Sequence, residues 1–386
     1  MHAEALLPPP KDRQKWKSSG LNRTQERGFP WVAGLIVLLL GAGWTWSIWQ
    51  TWTVGPEEVE SAELAARGLT AERPEQRPML GRIGSAIASP GETTPTFLND
   101  AVARYSNPIR GVSGEIYASF GLPGERVAPG NQPGLNFLIG GRPAADLSHP
   151  ADPGVHPIAI EYQRSKRELA DLHLITLVPA DEKEKGKIGP YRLGSWPFED
   201  GGTPRSPSYA PPRGFIRVTQ ENRDLHVSKH FKLGHFLTKD QADVWPKYLL
   251  LDPKALDKLE LMIVELQEMG VDVRHLTVMS GFRTPSYNAG GGNTSGRANL
   301  SRHMYGDGID VFLDNDQDWW TDDVNGDGKV DTKDAEMMAE AAERVERKHP
   351  SLVGGIGIYP TCCGHGPFVH IDVRGSRARW RGSGTG

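Results

Sequence analysis

"SRHMYGDGIDVF", residues 301–312, places His303 seven positions before Asp310, with two glycines between them and an apolar, β-prone run at the end. Such a pair is common in a polar turn that enters a buried strand. The same residue types could be two ligands of a hydrolytic zinc, which needs three protein ligands and one open position. The choice between the two interpretations depends on whether the chain supplies a third ligand.

A third candidate stands in "FVHIDVRG", residues 368–375. His370 lies there in an apolar run typical of a strand, and a strand is a rigid support for a metal ligand. Side chains alternate along a strand, so Asp372 is expected on the same face as His370. Two interpretations remain: His370 is a ligand, or it is a buried histidine that is hydrogen-bonded to Asp372.

Four motifs occur in order along the C-terminal part of the chain: "SGFRTPSYN" (280–288), "SRHMYGDGIDVF" (301–312), "GGIGIYP" (354–360) and "FVHIDVRG" (368–375). In order and spacing they resemble the zinc D-alanyl-D-alanine carboxypeptidases of the M15 type and related murein endopeptidases. The resemblance covers residues 215–381, including "FKLGHFL" (231–237) and "RARW" (377–380). It implies an α+β fold with an antiparallel sheet, flanking helices and a zinc centre.

By this resemblance, the zinc ligands are His303, Asp310 and His370. The resemblance also implies that Arg283 orients the substrate or stabilises its oxyanion, and that Ser301 lines the cleft. Zinc lowers the pKa of bound water towards about 7 and polarises the scissile carbonyl. A nearby arginine supplies positive charge where the tetrahedral intermediate becomes negative. These residue types are therefore consistent with amide hydrolysis.

One position departs from the family pattern. Many family members carry a glutamate three residues before the last histidine as general base, and here that position is Pro367. The sequence offers His365, Asp372 or Tyr359 instead. Strand geometry favours Asp372, and Tyr359 is also expected to contact substrate. Asp372 could equally be a hydrogen-bond partner that orients His370, so the identity of the base stays open. A protein that binds zinc but has no activity is also consistent with this departure.

"DVNGDGKVDTKD", residues 323–334, follows the pattern of a twelve-residue calcium loop with Gly328 at the turn. The expected ligands are Asp323, Asn325, Asp327, the backbone carbonyl of Lys329, Asp331 and Asp334. Aspartate replaces the usual glutamate at the last position, as in dockerin-like loops. A solvated acidic turn is the alternative, but the completeness of the pattern favours Ca²⁺ in a structural role.

"WVAGLIVLLLGAGWTWSIW", residues 31–49, contains no charged residue. A helix of this length rises about 30 Å, enough to cross the apolar core of a bilayer. Basic residues precede the segment and glutamates follow it, so the tail 1–30 is expected in the cytoplasm. The sequence predicts a single-pass anchor in the inner membrane, with the rest of the chain in the periplasm. A cleaved signal peptide is the alternative, but its apolar core is usually shorter.

The chain has 386 residues, which suggests two folded units and linkers. We expect a linker over 50–106, a β-rich, sandwich-like module over 107–212, and the peptidase-like domain with its calcium-loop insertion over 213–386. The module has no cluster of ligands, so a spacer or a docking site for a periplasmic protein is expected. The net charge of −4 does not suggest nucleic-acid binding.

These observations predict a membrane-anchored zinc metallopeptidase that cuts peptidoglycan stem peptides, either as a D,D-carboxypeptidase or as an endopeptidase. The alternative is a non-catalytic peptidoglycan-binding scaffold that keeps the peptidase fold. Pro367 favours the scaffold, because the usual base is missing. The complete ligand triad with Arg283 favours the enzyme.

Overall fold

The computed structural model describes residues 94–128, 132–204, 206–291, 297–362 and 364–382. All of them belong to one compact unit, residues 87–386. Several sheets combine with a few helices, which confirms the predicted α+β class. The predicted transmembrane segment and cytoplasmic tail lie outside the described residues. Within the described ranges, no helix is both long enough and apolar enough to span a bilayer.

The first part of the described chain is helix α1 (Thr94–Arg110) packed on a five-stranded sheet. The strand order is β1-β5-β4-β2-β3, and only the β1–β5 pair is parallel. The strands are β1 (Ala118–Gly121), β2 (Leu135–Ile139), β3 (Arg142–Ala144), β4 (Gly154–Tyr162) and β5 (Ser165–Thr176). The sheet therefore packs on a helix, where the sequence suggested a second sheet.

Helix α1 begins inside the stretch for which the sequence predicted a linker, since residues 94–106 are helical. Leu98, Ala101, Tyr105 and Ile109 recur at intervals of three and four and are buried together. This spacing forms one apolar face of a helix. The face is short and is interrupted by polar residues, so it gave little sustained periodicity in the sequence.

A three-stranded antiparallel sheet connects the two parts of the chain on either side of residue 212. Its order is β10-β9-β6, where β6 is Val178–Pro179, β9 is Gly214–Val218 and β10 is Lys247–Leu249. A hairpin of β7 (Lys187–Ile188) and β8 (Tyr191–Arg192) lies between β6 and β9 in the chain. The largest apolar core is also shared, because it contains both Trp196 and Phe215. The sheet and this core thus cross the expected boundary at residue 212.

The C-terminal part is a second five-stranded sheet with helices packed on it. The strand order is β11-β12-β14-β13-β15, antiparallel except for the β13–β15 pair. The strands are β11 (Leu276–Ser280), β12 (Gly308–Leu313), β13 (Gly355–Tyr359), β14 (Phe368–Asp372) and β15 (Ala378–Arg381), and the helices are α2 (Pro253–Glu268), α3 (Pro285–Gly290) and α4 (Thr332–Lys348).

Helix α2 has the start signals that the sequence predicted. The Asp252 side chain accepts the backbone N–H of Lys254, and Pro253 occupies the first turn. Gly270 follows the helix with a φ of +86°, the left-handed conformation that glycine adopts without strain. Its apolar face is buried in the shared core, through residues that include Leu256, Leu259, Met262, Ile263 and Leu266.

Lys258 ties the helices to the sheet from within the core. Its ammonium group donates to Glu346 Oε1 at 2.6 Å and to the backbone carbonyl of Asp372 at 2.9 Å. Burial lowers the pKa of Lys258, while Glu346 opposes that shift. The contact joins α2, α4 and the end of β14, so it fixes the helices against the strand that carries His370.

Candidate metal centre

The register of two strands brings Asp310 and His370 together. Strands β12 and β14 pair antiparallel, with Asp310 directly opposite His370. Directly opposite residues present their side chains on the same face of a sheet. Asp310 Oδ1 accordingly lies 2.8 Å from His370 Nδ1. Both residues are buried, at 5% and 6% exposure.

His303 approaches the same point from a 3₁₀ turn, Arg302–Tyr305, that precedes β12. Its Nδ1–H donates to the carbonyl of Gly281 at 2.7 Å. A carbonyl only accepts, so this bond assigns the proton to Nδ1 and leaves the lone pair on Nε2. Nε2 lies 3.2 Å from Asp310 Oδ1. Burial and the cation of Arg283 lower the pKa of His303 to about 4, which favours the neutral form that binds metals.

His303, Asp310 and His370 therefore form a group that could hold a metal ion. One potential ligand atom from each lies within 4.8 Å of the others. The three residues that the family resemblance implies as ligands lie close together in the structure. Two imidazoles and one carboxylate are an ordinary donor set for a catalytic zinc.

Arg283 stands beside this group, with its side chain mostly buried. It donates from Nη2 to Asp310 Oδ2 at 2.7 Å and from Nε to Ser280 Oγ at 2.9 Å. Burial alone would raise the pKa of Asp310. The neighbouring His303, His370 and Arg283 outweigh burial and hold that pKa well below its ordinary value. Asp310 is thus a carboxylate oriented by a fixed guanidinium.

Asp372 lies behind His370. Asp372 Oδ2 is 3.3 Å from His370 Nε2, the ring nitrogen farther from Asp310. The Asp372 carboxylate also accepts the backbone N–H of Gly355 and the Nε–H of Arg374 at 2.8 and 2.9 Å. Burial raises the pKa of Asp372, but His370 and Arg374 lower it far below its ordinary value. Asp372 is fully buried and does not line the cleft, so the geometry favours the orienting role over the role of base.

The three candidate ligands lie in the wall of an open cleft of about 740 Å³. Of the other residues singled out in the sequence, four line the same cleft: Arg283, Ser301, Tyr359 and His365. The two remaining candidates for the base therefore face the space that a substrate would occupy. Tyr359 Oη accepts the indole N–H of Trp380 at 2.9 Å, and burial raises the pKa of Tyr359.

Lys239 is a cleft residue that the sequence analysis missed. Its side chain lines the cleft together with Arg283. Burial and the charge of Arg283 lower the pKa of Lys239. Nothing in the sequence singles out this lysine, because it follows "FKLGHFLT" without a recognisable ligand spacing. Its place in the cleft depends on the tertiary fold, which the local sequence does not reveal.

Hydrogen bonds from backbone N–H groups to aspartate side chains organise the predicted calcium loop. The Asp323 carboxylate accepts the N–H groups of Gly326 and Gly328 at 2.8 and 2.7 Å. The Asp334 carboxylate accepts the N–H groups of Val324 and Asp331 at 2.8 and 2.7 Å, and helix α4 begins after Asp331. Within the described chain, carboxylates from 323–334 do not form a group of three close potential ligand atoms. Calcium binding by this loop stays a prediction.

A second group of carboxylates lies a few residues before that loop in the chain. It consists of Asp314, Asp316 and Asp318, whose potential ligand atoms lie within 4.8 Å of one another. The sequence analysis missed this group, although the signal was the alternating pattern D-x-D-x-D at the end of the apolar run of β12.

Comparison of the chain with protein-family models, with curated proteins and with solved structures gives no match. The functional assignment therefore depends on the geometry of the centre and on the four motifs.

Proposed function

We propose that this chain is a zinc-dependent metallopeptidase that hydrolyses peptide bonds in peptidoglycan stem peptides. The strongest support is the convergence of His303, Asp310 and His370 at one point in the wall of an open cleft. The substrate class comes from the resemblance of the four motifs. The reaction is either of the D,D-carboxypeptidase or of the endopeptidase type.

The hydrogen bonds around the two histidines fit a bound zinc. The outer ring nitrogens are already engaged, His303 Nδ1 by the carbonyl of Gly281 and His370 Nε2 by Asp372. The inner nitrogens, His303 Nε2 and His370 Nδ1, both face Asp310 Oδ1. Partners of this kind fix the orientation of ligating histidines. Zinc held by these residues would lower the pKa of a water molecule and polarise a carbonyl group.

Arg283 would stabilise the negative charge that develops during amide hydrolysis. Its guanidinium is held by Asp310 and Ser280, so little reorganisation is needed when an oxyanion forms beside it. Ser301 and Tyr359 line the same cleft as the ligands and would contact the substrate. These contacts would position the scissile amide against the centre.

His365 is the residue that we propose as general base. Its Nδ1–H donates to the carbonyl of Gly366 at 2.8 Å, which leaves the lone pair of Nε2 free to accept a proton. The imidazole lines the cleft and packs edge-on against Phe368. A base must reach the reacting water from within the cleft. His365 lines the cleft, while Asp372 contacts His370 and does not line the cleft.

The proposed location is the periplasmic side of the inner membrane, where peptidoglycan lies. Residues 31–49 would anchor the chain, with the N-terminus in the cytoplasm and the described part outside. The sheet of β1 to β5 would serve as a docking surface for a periplasmic protein. Calcium in the loop 323–334 would be structural, because that loop leads directly into helix α4.

A non-catalytic peptidoglycan-binding scaffold is the second candidate. Pro367 favours it, because proline occupies the position at which related enzymes carry their base. The carbonyl of Pro367 accepts the hydroxyl of Thr321 at 2.6 Å, so this residue has a structural contact of its own. A scaffold would bind the same stem peptides in the cleft without cutting them.

The test uses the full-length, zinc-loaded protein in mild detergent, incubated with isolated sacculi and with defined muropeptides. Products are identified by mass spectrometry, and parallel samples contain a chelator or the variant His303→Ala. We expect release of D-alanine or of cleaved cross-links that depends on zinc and on His303. Retention on sacculi without any product, by folded protein with one zinc per chain, would support the scaffold instead.

A further inference from the structure

The loop after β12 carries three carboxylates that meet at one point. Potential ligand oxygens of Asp314, Asp316 and Asp318 lie within 4.8 Å of one another. Asp316 and Asp318 are exposed, whereas Asp314 at the end of the strand is buried. One residue separates each carboxylate from the next, the spacing with which calcium loops supply their first three side-chain ligands.

Asp314 distinguishes this cluster from an ordinary acidic turn. The residue is 1% exposed, and its Oδ2 accepts the hydroxyl of Thr277 at 2.8 Å. Its Oδ1 is buried and has no hydrogen-bond partner. A buried polar atom without a partner is energetically unfavourable, and more so when the group is charged. The buried member of the cluster therefore has one carboxylate oxygen that no protein group satisfies.

No ion pair neutralises this cluster among the residues that the structure describes. Within the described part of the chain, Asp314, Asp316 and Asp318 take part in no ion pair with lysine, arginine or histidine. A fourth carboxylate, that of Asp322, is close enough to interact electrostatically with these three. Burial raises the pKa of Asp322, and the three neighbouring carboxylates raise it further. A bound cation would relieve this repulsion.

We propose that Asp314, Asp316 and Asp318 bind one calcium ion, at a site separate from the loop 323–334. The donors are all carboxylate oxygens, which suit hard cations and disfavour zinc. Calcium fits better than magnesium, because it accepts irregular coordination by a short loop, while magnesium demands near-octahedral geometry. The proposal does not depend on the proposed peptidase activity.

The ion would stabilise the connection between two ligand-bearing strands. Asn315 N–H donates to Asp322 Oδ2 at 2.7 Å, and Asp322 N–H donates to the carbonyl of Leu313 at 3.0 Å, so the loop closes on the end of β12. Thr321 then donates to the carbonyl of Pro367, just before β14. An ordered loop would therefore help to fix the residue that precedes β14, the strand that carries His370.

The experiment measures calcium bound per chain by equilibrium dialysis of full-length, zinc-loaded protein in detergent. The test variant is Asp316→Asn/Asp318→Asn, which changes only exposed side chains. The matched control is Asp323→Asn/Asp327→Asn, which makes the same chemical change in the neighbouring loop. Terbium luminescence excited through tryptophan gives a local readout, because Trp319 and Trp320 directly follow Asp318.

We expect the test variant to bind one calcium fewer than the wild type, or to bind that calcium at least about tenfold more weakly, since two of three charged ligands are lost. Its terbium luminescence should fall, while the control variant keeps most of it. Unchanged calcium stoichiometry and affinity in the test variant would overturn the proposal. Zinc content and the circular dichroism spectrum establish that both variants are folded.

Discussion

At the residue scale, the centre is a set of buried side chains that hydrogen bonds hold in place. His370 is held by Asp310 on one ring nitrogen and by Asp372 on the other. The sequence supplied the three candidate ligands through the resemblance that its four motifs carry. It could not decide the role of Asp372, since that role depends on which ring nitrogen of His370 the carboxylate meets.

Replacing Asp372 by asparagine separates an orienting role from a basic one. We expect zinc affinity to fall about 10–100-fold, the usual effect of losing a partner of a ligating histidine. Turnover at saturating zinc should persist. Competition titration with a chromophoric chelator and kcat at saturating zinc measure the two effects. Normal zinc affinity with abolished turnover would instead identify Asp372 as the base.

The companion change, His365→Gln, should have the opposite pattern. Glutamine keeps a polar side chain in the cleft but cannot accept a proton at neutral pH. We expect kcat to fall about 10²–10⁴-fold, the usual contribution of a general base, while zinc content stays at one per chain. A variant with wild-type kcat would remove His365 from the mechanism.

The substitution Arg283→Lys tests whether the planar guanidinium group, and not only its charge, is required. Lysine keeps the charge but cannot donate to Asp310 and Ser280 with the same rigid geometry. We expect kcat to fall about 10²–10³-fold, as when one oxyanion donor is removed, with zinc still bound. If only KM rises and kcat is unchanged, Arg283 serves ground-state binding and not the transition state.

At the scale of elements, glycine positions determine how closely the His303 turn approaches its neighbours. Gly306 ends that turn with a φ of +74°, and a Cβ there would overlap the backbone of Leu250. Gly326, in the loop 323–334, has a similar φ of +72° but open space around it. The two glycines therefore have the same backbone conformation and differ in their packing.

Alanine substitution at these two glycines should separate conformational strain from steric overlap. Gly326→Ala should cost about 1–2 kcal/mol of unfolding free energy, the penalty for a left-handed alanine. Gly306→Ala should cost at least about 2 kcal/mol more, because overpacking adds to that strain. Chemical denaturation measures both variants. Equal losses would show that the turn can move away from Leu250.

At the scale of the whole molecule, the shared core makes the parts before and after residue 212 dependent on each other. Local signals identified helix α2, since Asp252, Pro253 and Gly270 act within their own turns. The pairing of β6 with β9 could not be read from the sequence, because β6 has two residues and no pattern of its own. For the same reason, the sequence did not reveal that Lys239 lines the cleft or that α1 packs on its sheet.

Fragments of the chain test this dependence. A fragment of residues 213–386 would lose β6 and core residues such as Trp196, leaving Phe215 uncovered. We expect it to unfold without a cooperative transition, whereas residues 87–386 should melt cooperatively. Circular dichroism during heating distinguishes the two. A fragment 213–386 that melts like the longer one would establish residue 212 as a true domain boundary.

Acid should destabilise the metal-free protein through its buried carboxylates. The pKa values of Asp310 and Asp372 are lowered below the ordinary 3.8 in the folded state. The unfolded chain therefore binds protons more readily, so the stabilisation is fully present above about pH 5 and is lost as pH falls below about 4. Melting temperatures from pH 7 to 3 measure this, and Asp372→Asn should show a smaller loss.

The hydrogen bonds that align the three candidate ligands also affect the protonation change that would accompany metal binding. Burial lowers the pKa of His370, but Asp310 and Asp372 together raise it above its ordinary value, so protonation of His370 competes with metal binding at this group. Uptake of a metal ion by these residues would then release a proton to the buffer. The heat of loading will consequently change with the ionisation enthalpy of that buffer, and acidification of the compartment will favour the return of the proton.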